Sequence, residues 1–386
     1  MRVEWDPVVL SQELIRIDAM SGDEGRVADL VEAAMTGLGY REVRRDELGN
    51  VMGLAGPPND RVALLFDAHM DVVPAMGDWT VQPFAAEIRD GRLFGRGAAD
   101  MKGALGAAIC GVAAAAHTGR LTRPVAVTAS VLEETIEGLA LGPLLDTLRP
   151  EMVVICEPSS LSIKHGQRGR IEIMLDVNGV PAHAAYPERG RNPILLAAKA
   201  LEEIAAMALP VDDALGKAIM VPTDIVSDPY PSISSIPPHV AIRFDRRTLA
   251  GETCDAVIAA LQERLAGVDP RAFVVRVSDA PVRTYTGRTL NGPRYLGAWL
   301  FDRDMPLARA AAESLAEIGR PVSYSVYSFC TNGSETAGRR GIPTIGLGPG
   351  AEADAHTADE SVAVDELRAA AAIYRGIALR MAGMPE

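Results

Sequence analysis

Cysteine is scarce: Cys110, Cys156, Cys254 and Cys330 are the only four in 386 residues, and they lie far apart with no CxxC pair. That spacing argues against a thiolate metal knot or a disulfide frame and leaves reduced, mostly buried thiols. Positive charge is short as well. With 38 Lys and Arg against 51 Asp and Glu, the formal net charge is −13, and no basic stripe interrupts it. Such a surface repels phosphate backbones, so nucleic acid is not expected as a partner. Long apolar runs are missing too. The weakly polar stretch 103–116 is Ala/Gly-rich and shorter than the roughly 20 residues that cross a bilayer. The opening MRVEWDPVVLSQELIRID has no basic segment followed by an unbroken apolar one, so it does not read as a signal peptide. A soluble, cytoplasmic protein with no membrane partner is expected. Repeats and low-complexity tracts are absent, while 48% hydrophobic and 23% charged residues are ordinary globular values. At roughly 100–200 residues per domain, the length gives two or three domains.

Near the N-terminus Ser21 precedes Glu24 by three residues, and apolar residues recur at Val27, Leu30, Val31, Ala34, Met35 and Leu38. This is the spacing of an amphipathic helix opened by a capping box, and Gly37 and Gly39 stop it. Short apolar runs of strand length follow at 62–66, 125–131, 152–156 and 342–347, separated by helical or irregular stretches. Near-continuous apolar strands alternating with helices predict an α/β fold, with a mixed, largely parallel sheet covered on both faces. The middle of the chain differs. Ile171, Ile173, Leu175 and Val177 alternate with polar residues, Asn192-Pro193 opens a helix, and strand-like runs follow at 218–226 and 240–244. A helix carrying Val257, Ile258, Leu261 and Leu265 and a strand at 273–277 complete a β-α-β-β-α-β order. That order is the ferredoxin-like pattern. It predicts an inserted α+β domain at 168–285, interrupting a catalytic domain made of 1–167 and 286–386.

Chemistry concentrates where the apolar runs of the larger domain end. The first run leads into His69 and Asp71, the second into Glu133-Glu134, the third into Glu157-Pro158, and the fourth into Gly348-Pro349-Gly350 and then His356. Ligands of open α/β sheets bind at the carboxyl ends of strands, so these segments are expected to converge on one crevice. His69 and Asp71 are two apart, and in extended backbone their side chains point the same way. The imidazole can then bind a metal while the carboxylate fixes its tautomer. Asp100, in a glycine-rich turn ahead of an Ala-rich helix, can cap that helix or bridge two cations. Lys102 beside it reads as a local salt-bridge partner. Adjacent carboxylates at the end of an apolar strand resist burial unless cations or protons compensate. At a turn one of the two can bind metal while its neighbour faces the water that the metal activates. His69, Asp100, Glu134, Glu157 and His356 thus form a set of imidazoles and carboxylates without thiolate, which suits two divalent ions, zinc first and cobalt or manganese as alternatives. Glu133 is left as general base, with Asp71 orienting His69.

HMDVVP (69–74), GRGAADMKG (95–103), LEETIEG (132–138), ICEPS (155–159), GVPAHAAYP (179–187) and GPGAEADAHTADE (348–360) together resemble the dinuclear zinc peptidase family of acetylornithine deacetylase, succinyl-diaminopimelate desuccinylase, aminoacylase and carboxypeptidase G. The resemblance runs in order over nearly the whole chain. It implies that His69 and Glu157 hold one metal, that Glu134 and His356 hold the other, and that Asp100 bridges them. It implies a lid and homodimerisation role for 168–285, with His183 stabilising an oxyanion, often in the partner subunit's site, and Arg247 binding a substrate carboxylate. Asn332, Gly333 and Ser334, together with Gly348-Pro349-Gly350, resemble the loops lining the substrate pocket. Two departures stand out. Ser234-Ser235-Ile236-Pro237 stands where the family often carries Asn-x-Ile-Pro, and Ala250 where a Pro is common. His117, His165 and His239 are left as structural residues. The implied activity is hydrolysis of the amide of an N-acyl amino acid or short peptide by metal-bound hydroxide. Hydrolysis of an N-carbamoyl or other ureido compound on the same site, and a non-catalytic peptide-binding role, are the alternatives.

Overall fold

The computed structural model describes residues 6–279 and 281–384, and its contacts divide the chain into two compact units. The larger unit comprises 1–167, 281–290 and 300–386, and the smaller one 168–280 and 291–299. The smaller unit therefore ends at 280 where the sequence pattern suggests 285, and it regains a short return segment. Two local contacts explain the crossover. Val282–Arg283 pairs with Thr289–Leu290 in a hairpin whose Tyr285 hydroxyl donates to the Gly49 carbonyl at 2.9 Å, within the larger unit. Further on, Tyr295 and Leu296 pair with Ile171 and Arg170 of the smaller one.

The main sheet of the larger unit is mixed. Its central strands Val125–Ser130, Leu64–His69, Val153–Ile155 and Thr344–Gly346 run parallel, while Glu42–Arg45 and Val51–Ala55 extend one side antiparallel. Both faces are dry. Leu64 and Phe66 meet helix Lys102–His117 and helix Val364–Ala382 through Ala104, Ala108, Ile373 and Tyr374, whereas Leu65 meets Leu144, Leu145 and Leu148 of helix Gly142–Leu148 on the other face. A strand buried on both sides needs apolar residues at consecutive positions, which is why these runs do not alternate. Lys102–His117 is itself buried around almost its whole circumference, as an Ala-rich helix with a small cross-section allows. All the strands that run into His69, Glu133 and Glu157 are parallel and end on the same edge. Among the described residues no helix is long and apolar enough to cross a membrane.

The smaller unit is a four-stranded antiparallel sheet in the order Ile219–Asp228, His239–Thr248, Gly169–Asn178, Phe273–Val277, with Tyr295–Leu296 added beside Gly169–Asn178. Burial alternates along Gly169–Asn178, and Ile171, Ile173, Leu175 and Val177 pack beneath helices Pro193–Ala205 and Cys254–Ala266. Asn192 caps the first helix, its side chain accepting from Ile194 N at 2.9 Å. The element order and the sheet order are those of a ferredoxin-like unit.

Candidate active site

Seven of the predicted residues meet at the carboxyl edge of the main sheet. His69 is the last residue of Leu64–His69 and is buried. Its Nε2 lies 3.1 Å from Asp100 Oδ1, 3.7 Å from Glu157 Oε1 and 4.0 Å from Glu133 Oε2. His356 Nε2 lies 2.9 Å from Glu134 Oε2 and 3.3 Å from Asp100 Oδ2. One carboxylate, that of Asp100, thus touches both imidazoles. Asp100 does not cap the helix that follows it, because Lys102–His117 starts behind Met101 without a side-chain cap. The potential ligand atoms of His69, Asp100 and Glu134 lie within 4.8 Å of one another, and so do those of His69, Glu133 and Glu157. Distance alone therefore lets Glu133 serve as ligand or as base.

The site buries more carboxylates than imidazoles, and their charges act strongly on one another. Burial, and then the charge of Glu157, raise the Glu133 carboxyl well above its ordinary range. Burial followed by Asp100 does the same to Glu157, and pushes Glu134 up to about 7. Oε1 of Glu133 and Oε1 of Glu134 are buried with no hydrogen-bond partner among the described residues. Burial opposes an imidazolium at His69, but Asp100, Glu157 and Glu133 outweigh it and raise its pKa. Hydrogen bonds to Asp100 and Glu134 push His356 up to about 10. A single divalent ion next to such groups removes the penalty on the anions. The donor set of imidazole and carboxylate with idle buried oxygens fits divalent cations.

Asp71 supports this cluster in an unexpected way. Its backbone carbonyl, 2.9 Å from His69 Nδ1, is the nearest acceptor to that nitrogen, and its Oδ1 stands farther off at 3.6 Å. The carboxylate is occupied elsewhere: it accepts from Ser21 Oγ at 2.7 Å and from the amides of Glu133 and Glu134 at 3.1 Å each. Either way the Nδ1–H tautomer is fixed and Nε2 is left for a cation. Ser21 and Glu24 consequently do not form the capping box their spacing suggests. Helix Gly25–Gly37 begins without a side-chain cap, Ser21 is bonded to Asp71, and Glu24 Oε1 accepts from Leu132 N at 3.1 Å. Lys102 is not paired as expected either: it is buried, and its ammonium donates to the Ile17 carbonyl at 2.6 Å.

Asn332, Gly333 and Gly348 are buried in the larger unit. The Asn332 amide donates to Asp67 Oδ2 at 2.7 Å and Ser130 Oγ at 2.9 Å, while its oxygen accepts from Gly138 N at 2.6 Å. It ties the strand that ends in His69 to the strand that leads to Glu133. Gly333 N donates to Thr331 Oγ1 at 2.9 Å, at the start of the helical turn Ser334–Arg339. A Cβ at Gly348 would overlap the Cys156 and Glu157 carbonyl oxygens, so only glycine lets this loop lie against the backbone of Glu157. His183 and Arg247 sit on the smaller unit. His183 is exposed and its Nδ1 accepts from Ala185 N at 3.0 Å. The Arg247 guanidinium forks onto Asp245, at 2.6 Å and 3.1 Å. His117, His165 and His239 bond to Leu38 O, Phe301 O and Asp176 Oδ1, as structural histidines do.

Sequence reasoning overlooks Glu360. Buried, it accepts from Arg96 Nη1 at 2.6 Å, from Gly97 N at 3.1 Å, and from the amides of Ala99 and Asp100 at 2.9 Å each. It thereby pins the turn that presents Asp100, and its place four residues after His356 is the signal that could have found it. Glu360→Ala would leave a buried guanidinium without its partner, a loss of about 3–5 kcal/mol. Urea unfolding of this variant is expected to show that loss, and a change below about 1 kcal/mol, the range of an exposed pair, would contradict the role.

Residues 65–380 match the model of Peptidase family M20/M25/M40. An uncharacterised protein YgeY of Escherichia coli is 30% identical over 383 residues, which cover 95% of this chain and 92% of that one. A succinyl-diaminopimelate desuccinylase of Sphingopyxis alaskensis is 31% identical, covering 97% of this chain and 98% of its own. Among solved structures, the aminopeptidase PepT of Bacillus cereus superposes with a TM-score of 0.76 at 22% identity, covering 97% and 98% of the two chains.

Proposed function

The chain belongs to peptidase family M20/M25/M40, and from that membership and the geometry of the site we propose that it hydrolyses the amide bond of an N-acyl amino acid or a short peptide with two divalent cations. The observation that carries this assignment is the single Asp100 carboxylate reaching both His69 and His356, with Glu157 beside the first imidazole and Glu134 beside the second. His69 and Glu157 would hold one ion, His356 and Glu134 the other, and Asp100 would be shared. Zinc suits this N/O set best, and cobalt or manganese also fit. When bound, the ions polarise the substrate carbonyl and lower the pKa of the attacking water from about 15.7 towards 7.

The chain's own residues then divide the remaining work. Glu133 takes the proton of the attacking water on its idle Oε1 and returns it to the leaving nitrogen. Asp71 holds His69 by its carbonyl and Glu133 by its carboxylate, so that both keep one orientation. His183 accepts at Nδ1, which leaves Nε2–H as a donor suited to a tetrahedral oxyanion. Arg247 spends two of its five donors on Asp245 and keeps others for a substrate carboxylate. Asn332, Gly333 and Gly348 shape the pocket by holding the strands and loops that carry His69, Glu133 and Glu157.

Residues 168–280 with 291–299 serve as lid and as the homodimer surface in this proposal. Strand Ile219–Asp228 lies at the edge of its sheet and exposes Ile219, Val221, Ile225 and Val226, an edge that pairing with a second copy would cover. Sedimentation is expected to give twice the chain mass for the wild type and the single mass for Val221→Lys/Ile225→Lys; an unchanged double-variant mass would place the interface elsewhere. Cys110, Cys156 and Cys254 are free thiols, in keeping with a reducing, cytoplasmic setting.

The assignment is tested by mass spectrometry after incubation with N-acetyl, N-succinyl and N-carbamoyl amino acids and dipeptides. Turnover of an amide substrate is expected to stop after dialysis against a chelator and to return with zinc. Chelator-insensitive turnover, or no bound divalent metal under replete conditions, would refute it, and release of carbon dioxide and ammonia in place of a free acid would mark a ureido substrate.

A further inference from the structure

The two glutamates of the site sit on a turn whose consecutive amides are each held by a side chain. Val131 N donates to Asn50 Oδ1 at 3.0 Å, Leu132 N to Glu24 Oε1 at 3.1 Å, Glu133 N to Asp71 Oδ1 at 3.1 Å and Glu134 N to Asp71 Oδ2 at 3.1 Å. Leu132 has a φ of 61°, the left-handed region that a leucine avoids. That residue breaks the strand's alternation immediately before Glu133. In continued extended backbone the two neighbouring carboxylates would point to opposite faces, whereas here Glu133 Oε2 and Glu134 Oε2 reach His69 and His356 of one cluster. A backbone conformation that its own side chain disfavours must be held by its surroundings.

Glu24 is the residue that holds it. Its side chain is fully buried, Oε1 accepts from Gly22 N at 3.0 Å as well as from Leu132 N, and Oε2 has no partner among the described residues. A buried carboxyl with an idle oxygen is unfavourable for folding. Nor does the helix behind it use that carboxyl as a cap. Resting on the hydrolase assignment above, we propose that Glu24 is a positioning residue for the reaction: by accepting the Leu132 amide it fixes the turn that brings Glu133 and Glu134 to one side. It acts as a hydrogen-bond acceptor and not as a charge. Burial, and then the charge of Asp71, push its carboxyl up to about 7, so an uncharged side chain is already compatible with its place.

Glu24→Gln keeps the acceptor oxygen, and Glu24→Met keeps the bulk without it. Both variants are compared with the wild type, zinc-loaded, for kcat and KM on an amide turned over by the wild type, and for deuterium exchange in a peptide spanning 131–134. Misplacement of reacting groups by about 1 Å costs up to about 100-fold, so Glu24→Met is expected to lower kcat about 10- to 100-fold with KM within about 2-fold. Its exchange at 131–134 is expected to rise at least about 10-fold, while Glu24→Gln stays within about 3-fold of the wild type in every measure. A merely structural role would move melting temperature without this kcat split and without rescue by glutamine. Wild-type kcat and exchange in Glu24→Met, or equal damage in both variants, would overturn the proposal. If Glu24→Met does not fold, Glu24→Ala is measured in its place against the same limits. A wild type that binds zinc yet turns over nothing would refute the hydrolase assignment, while exchange at 131–134 would still decide whether Glu24 holds the turn.

Discussion

Glu133→Gln is expected to lower kcat by about 10²–10⁴-fold, the usual contribution of a positioned general base, while both cations stay bound. The glutamine keeps the size of the side chain and the backbone bond to Asp71 Oδ1, so the turn should not move. What it loses is a basic oxygen. In the wild type Oε1 is buried and idle, and Oε2 stands 4.0 Å from His69 Nε2, farther than the oxygens of Asp100 at 3.1 Å and Glu157 at 3.7 Å. A group held near the cluster without a close partner is suited to taking a proton. Steady-state kinetics with metal analysis of the same sample check this. A variant that loses one equivalent of metal with its activity would make Glu133 a ligand, and a kcat within about 10-fold of wild type, well short of the usual contribution of a base, would place the base elsewhere.

The second large effect belongs to Asp100. Its oxygens are 3.1 Å from His69 Nε2 and 3.3 Å from His356 Nε2, so Asp100→Ala removes the one carboxylate that both halves of the site share. Zinc affinity is expected to fall at least about 100-fold, beyond what loss of an outer partner typically costs, and activity to fall to background. Calorimetric titration measures the first and the amide assay the second. Because ligands that bind only the folded state raise its stability, the rise in melting temperature on adding zinc should also vanish. A variant that still takes up two zinc ions with near wild-type affinity would show that Asp100 bridges nothing.

Much of this site is legible in the sequence because its candidate ligands sit where apolar strands end. Leu64–His69, Val125–Ser130 and Val153–Ile155 are short, dry and parallel, so each run fixes both a position in the sheet and the edge to which its last residues are delivered. The smaller unit is legible for the opposite reason: Ile171, Ile173, Leu175 and Val177 alternate, and one wet face is visible residue by residue. What sequence reasoning misses is the layer that holds the candidate ligands. Ser21 and Glu24 have the spacing of a capping box, and the same hydroxyl and carboxylate serve Asp71 and Leu132 once the fold brings those residues near. Local spacing cannot reveal an acceptor whose donor lies more than 100 residues away. Glu360 escapes for the same reason, and so does the tie between Asn332 and Asp67, since Arg96 and Asp67 are remote in the chain from the residues they bond. The boundary at 280 is blurred because 281–290 and 291–299 belong to different units, a crossing set by one tyrosine contact and one short strand.

The most direct measurement is anomalous diffraction at the zinc edge from crystals grown with zinc. Two peaks are predicted, one bound by His69 and Glu157 and the other by His356 and Glu134, with Asp100 contacting both and Glu133 bound to neither. No peak among these side chains, or a single peak away from Asp100, would contradict the account.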